Sequence, residues 1–177
     1  MSLSAYSIIN ETMVPMLQSL SAILDKAAAY AEAKKIDPAV LVAARLAPDM
    51  FPLMSQVRIA CDSLKNAAAL LAGQQPQKFE DNEKTLDELK ARIAKCIAYV
   101  QSFEASSYDG AETRTITVPL IEKLVFESDG AHYLQDWAMP HFFFHVVTAY
   151  DILRHNGLEI GKRDYAAHVG RFIKERG

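Results

Sequence analysis

The chain has 177 residues, half of them apolar and 23% charged, proportions that suit a soluble globular protein with one sizeable core and exclude a disordered segment. There are 19 lysines and arginines against 22 acidic residues, a net charge of −3. No stretch gathers the basic groups needed to neutralise a run of phosphates, so no nucleic-acid partner is expected. No apolar run approaches a membrane span and no leader pattern is evident, so the expectation is a single cytoplasmic domain over residues 1–177 with no membrane partner.

Ile9, Met13, Met16, Leu20, Ile23, Ala27 and Tyr30 recur at steps of four and three, the stripe of a long first helix. Pro15 lies inside it, and its missing donor predicts a kink or a late start near Glu11. Asp37 followed by Pro38 is a cap with proline at the first helical position, predicting a short helical turn over 39–46. The stripe resumes as Val57, Cys61, Leu64, Ala68 and Leu71, which predicts a second long helix ending at Gly73. Cys61 and Cys96 fall inside apolar patterns without CxxC spacing and read as small buried hydrophobes of a reducing compartment.

The polar stretch GQQPQKFEDNEK is a connection, with Asp81 or Asn82 as the expected cap of a third helix carrying Leu86, Leu89, Ile93, Cys96, Val100 and Phe103. Ile116 and Val118 then alternate with Thr115 and Thr117, a period of two, and 124–126 can pair back, which predicts a small hairpin. The fourth helix is expected to start near Pro140 and stop at Asn156 and Gly157. Its Phe142, Phe143 and Phe144 point in three directions, so it is expected to be the enclosed, central helix. A short last helix is expected over 164–174. The fold class is all-α, a four-helix bundle with a two-stranded β-hairpin between helices three and four and a short C-terminal helix.

His141 and His145 stand one helical turn apart on one face, which continues through Thr148. This is how a helix offers two nitrogen ligands to a divalent transition metal, with a third ligand from another helix and an open position for water or a thiolate. The bland reading of the same spacing is one hydrogen-bonded core histidine and one lining a cavity. No serine sits in a nucleophile elbow and no glycine-rich loop follows a strand, so neither acyl transfer nor dinucleotide binding is expected.

Through APDMFPLMSQVRIACD, FFFHVVTAYDILRHNG and GKRDY the chain resembles an uncharacterised, domain-of-unknown-function branch of the DinB-like (YfiT-like) superfamily, over nearly its whole length. The resemblance implies the DinB-like bundle, with His141 and His145 at two of three metal-binding histidines holding Zn or Ni. The first ligand belongs near the start of helix two, where PLMSQVRIACD has no histidine and Gln56 is the nearest polar residue. The expected function is a small-ligand-binding or degenerate metal-site module, with a pocket among Gln56, His141, His145 and Thr148 for a small apolar or carboxylate ligand; the resemblance implies, as the alternative, a metal-dependent S-transferase or isomerase using a low-molecular-weight thiol. A homodimer is the expected assembly.

Overall fold

Ser4 opens the first helix, its hydroxyl accepting from the Ser7 backbone N–H at 3.2 Å while the Ser7 hydroxyl accepts from the Ser4 N–H at 3.0 Å, a reciprocal cap. From there α1 runs over residues 5–34 in the computed structural model, which describes residues 4–176. Pro15 has no N–H to give the Glu11 carbonyl. The helix accommodates this by widening into a π turn over Ile9–Met13, closed by the Val14 N–H on the Ile9 carbonyl. The expected kink or late start is therefore a local widening with helix on both sides. Ile9, Met13, Met16, Leu20, Ile23 and Ala27 are all buried, as their spacing predicts.

Asp37 caps α2, Pro38–Ala43, by accepting from the Ala39 N–H at 2.9 Å. This helix ends three residues before the expected limit because Ala44 turns extended, the conformation that lets its carbonyl accept from the Leu53 N–H at 2.9 Å. Helix α3, Leu53–Leu71, follows and closes on Gly73, whose φ of 71° is the left-handed geometry glycine adopts without a Cβ clash.

The long polar connection crosses to α4, Leu86–Gln101. Its cap is Thr85, in a capping box with Glu88, and not Asp81 or Asn82. Both of those lie too early: Asp81 is drawn instead to the Arg92 guanidinium at 3.0 Å, and only Thr85 has a glutamate three residues on to return the bond. The stripe from Leu86 to Phe103 is buried throughout.

Two short 3₁₀ turns, Ala105–Tyr108 and Ala111–Thr113, lead into the antiparallel hairpin of β1, Thr115–Pro119, and β2, Val125–Asp129. Its register pairs Thr115 with Asp129 and Pro119 with Val125, and Ile116 is the strand residue turned into the core. The first strand lies where the alternation places it, and the second runs from Val125 to Asp129, three residues past the expected 124–126, because it pairs along the whole of β1.

Helix α5 spans residues 130–155, beginning ten residues before Pro140. The Asp129 carboxylate accepts from the His132 N–H at 2.9 Å and caps it. The early start is possible because α5 repeats the device of α1: a π turn over Tyr133–Ala138, closed by the Met139 N–H on the Leu134 carbonyl, stands immediately ahead of the proline. The chain ends in α6, Lys162–Tyr165, and a 3₁₀ stretch, Ala167–Phe172, in place of one helix over 164–174.

The enclosed helix is α3, not α5. It packs against α4 and α5 most extensively and also against α2 and the π turn of α1. Val57, Ala60, Cys61, Leu64, Ala67, Ala68 and Leu71 are each fully buried on it, the large ones contributing about 2 kcal/mol apiece. Its alanines let three neighbours approach, whereas Phe144 on α5 remains 58% exposed and only Phe142 of the three phenylalanines is fully buried. Among the described residues no helix is long and apolar enough to cross a membrane.

Candidate ligand-binding site

The wide turn of α5 sits directly before the histidines. The His141 Nδ1 lies 2.7 Å from the Trp137 carbonyl; a carbonyl only accepts, so this nitrogen carries the proton and Nε2 keeps its lone pair. The His145 Nδ1 lies 2.7 Å from Gln56 Oε1 on α3. The Gln56 amide nitrogen donates to the Phe51 carbonyl at 3.0 Å, which fixes which end of the amide faces the imidazole. His145 therefore also donates through Nδ1 and leaves Nε2 open. Burial, reinforced by the neighbouring His141, holds the His145 imidazole below its ordinary range and favours the neutral ring. His141 is exposed and His145 half-buried.

A metal centre with three protein ligands does not fit these residues. Gln56 is 1% exposed, and both ends of its amide are engaged, one of them on the far nitrogen of His145. Turning Oε1 toward an ion would break a buried hydrogen bond, and an amide oxygen suits magnesium or calcium better than zinc or nickel. Among the described residues no three histidine, cysteine, aspartate or glutamate side chains cluster closely enough to share an ion.

The structure brings Gln56, His141 and His145 together but does not enclose a pocket with Thr148. That hydroxyl is buried and donates to the Phe144 carbonyl at 2.7 Å, one turn back on its own helix. The open space lies on the other side of His141, in a cleft of about 560 Å³ between α3, β1 and α5. One wall is the α3 face of Ile59, Asp62, Ser63, Asn66 and Leu70, which fall at i, i+3, i+4, i+7 and i+11. Opposite stand Tyr133, Trp137, Ala138 and His141 of α5, and Thr117, Val118 and Pro119 of β1 form the end wall.

The aromatic side of this cleft is a stack. The Trp137 ring lies on His141 with centroids 4.3 Å apart and planes 28° apart, and Phe126 of β2 packs behind it at 4.7 Å. Asp62 is the one carboxylate in the lining, and its charge is compensated. Its Oδ2 lies 3.1 Å from the Arg92 guanidinium, and Oδ1 lies 3.2 Å from the Lys65 ammonium without the alignment of a hydrogen bond.

Sequence reasoning reached His141 but missed the cleft around it. Trp137 stands four residues before His141 and so shares its face, a signal present in the sequence. The facing residues of α3 and β1 carry no local mark, because only the packing of the hairpin across the two helices makes them neighbours.

The family model described as Domain of unknown function (DUF1993) matches residues 5–166. A crystal structure described as that of a DinB family member protein from Shewanella denitrificans is 42% identical, with 90% of each chain covered and a TM-score of 0.84. No curated protein matches the chain. With the bundle, the hairpin and the histidine-bearing helix in place, this chain belongs to the DUF1993 family and has the DinB-like fold.

Proposed function

We propose that the protein is a small-molecule-binding module whose ligand lies in the cleft between α3, β1 and α5, beside the Trp137–His141 stack and donating a hydrogen bond to His141 Nε2. The observation that carries this reading is the fixed His141 ring, stacked on Trp137 and tied through Nδ1, so that an acceptor is pre-oriented beside an apolar aromatic wall. The ligand is uncharged and largely apolar. A carboxylate would meet the Asp62 side chain, and a cation would find that carboxylate already paired.

Trp137 is the one tryptophan of the chain, so its emission reports the cleft directly. Titration with phenol, an aromatic hydroxyl donor, should change it saturably with a Kd on the order of millimolar, as suits so small a ligand. Benzoate should bind at least tenfold more weakly. His141→Ala should weaken phenol by about three- to tenfold, the worth of one neutral hydrogen bond. Emission that responds linearly to phenol and benzoate alike, with no saturation, removes the cleft as a binding site.

A further inference from the structure

We infer that the cleft ligand carries a primary carboxamide at the end opposite the group that meets His141, held on α3 by a two-bond pair with the Asn66 side chain and by the Ser63 hydroxyl beside it. This rests on the reading of the cleft as a binding site and names the chemistry of its second wall. The two other asparagines on helices turn back on their own backbone: the Asn10 and Asn156 amides donate to the carbonyls four residues earlier, at 3.2 and 2.7 Å. Asn66 does not. Among the described residues neither its amide nor the Ser63 hydroxyl has a protein partner, although both side chains are half-buried and line the cleft. Asparagine is also a weaker helix former than the alanines that follow it at 67–69, and no contact within the fold offsets that. Asn66 and Ser63 fall three residues apart on one face of α3, across the cleft from His141. A carboxamide presents an acceptor and a donor side by side, so its complement is an amide with carbonyl and N–H on the same edge, joined to it by two hydrogen bonds. A primary amide has a second N–H, which is left for the Ser63 oxygen to accept. A carboxylate could accept from Asn66 Nδ2 but brings no proton for Oδ1, and it would sit beside the Asp62 carboxylate.

The test is NMR titration of the isotope-labelled full chain with phenol, para-hydroxybenzamide, para-hydroxybenzoate and para-hydroxy-N-methylbenzamide. In each the hydroxyl is the donor for His141 Nε2. In the N-methyl compound the trans amide holds its N–H away from its carbonyl, so the paired edge is lost. Para-hydroxybenzamide should bind at least about tenfold more tightly than phenol, the worth of two neutral hydrogen bonds, and should shift the Asn66 side-chain N–H resonances as it saturates. The N-methyl amide should gain no more than about threefold over phenol, and para-hydroxybenzoate should bind more weakly than phenol. In Asn66→Leu the affinities for phenol and para-hydroxybenzamide should lie within about threefold of each other; the Asn66 shift in the unaltered protein is a readout that stands even where this variant fails to fold. Three results overturn the inference while phenol still saturates, and so leave the cleft as a binding site: para-hydroxybenzamide no tighter than phenol, the N-methyl amide or the benzoate as tight as the primary amide, or Asn66 resonances that stay in place at saturation. If no probe saturates, the inference falls together with the reading of the cleft.

Discussion

Replacing Arg92 by leucine is expected to cost about 3 kcal/mol of stability, the lower end of what breaking a buried ion pair from one side removes. The Arg92 side chain is 1% exposed, with Asp62 at 3.1 Å and Asp81 and Glu83 at 3.0 Å, while a further N–H donates to the Glu80 carbonyl at 2.9 Å. Leucine would leave Glu83, 11% exposed at its side chain, with only Arg58 as a counter-charge. It would also release the connection between α3 and α4, which this one guanidinium ties down at residues 80, 81 and 83. Arg58, still 2.8 Å from Glu83, and Lys65, beside Asp62, keep the loss from reaching the upper end.

The same substitution should flatten the acid limb of the stability curve. Burial pushes the Glu83 carboxyl up, but the backbone hydrogen bond and the Arg92 guanidinium outweigh it, and the group sits below its ordinary value. The unfolded chain then takes the proton first as pH falls below about 4.5. The Glu83 contribution is therefore whole above that pH and is lost as pH drops through the folded value. Urea denaturation of both proteins, at neutral pH and again at mildly acidic pH, measures both effects. An unchanged midpoint in Arg92→Leu would show that the network carries no net stability.

Gly130→Ala is expected to destabilise by about 3 kcal/mol or more, at the top of the range for overpacking, and to lower Tm by roughly 6–12 °C in a chain of this size. Helix propensity argues the other way, since alanine inside a helix gains about 1 kcal/mol over glycine. Contact decides it. A Cβ on Gly130 would lie 1.9 Å from the Ala111 carbonyl oxygen and 2.9 Å from Leu71 Cδ2, and a backbone carbonyl cannot swing aside as a side-chain tip can. The strain falls where the hairpin passes into α5, so the substitution should also disturb the cleft wall at Tyr133 and Trp137. A thermal melt, with Trp137 emission as a second reading, tests it; a Tm equal to or above that of the unaltered protein would mean that the first turn of α5 shifts freely.

The helices were legible because burial on one face imposes a period that survives in the residues themselves. The stripes on α1, α3 and α4 and the alternation at Thr115–Pro119 all land where they point. The two prolines misled in the same way. Pro15 and Pro140 each signal a helix boundary, and each stands instead just after a π turn. Whether a helix breaks or widens at a proline depends on whether its neighbours bury the turns on both sides, and that information lies outside the local sequence. The identity of the central helix was misread for a related reason. Aromatic bulk on α5 suggests enclosure, but the helix that can be surrounded is the one whose small side chains let others come close, which is α3 with Ala60, Ala67 and Ala68.

For the site, spacing alone placed His141 and His145 on one face of one helix, and the resemblance of the surrounding motifs supplied the family. Tertiary packing decided what those side chains do. It set the Gln56 amide against His145 Nδ1, turned Thr148 back on its own helix, and opened the cleft beside Trp137 and not between the imidazoles. The physical reason is range. A helical period is written by neighbours three and four residues apart, whereas the partner of a buried amide and the lining of a cleft are chosen by residues dozens of positions away, brought together only when the hairpin and three helices close on one another.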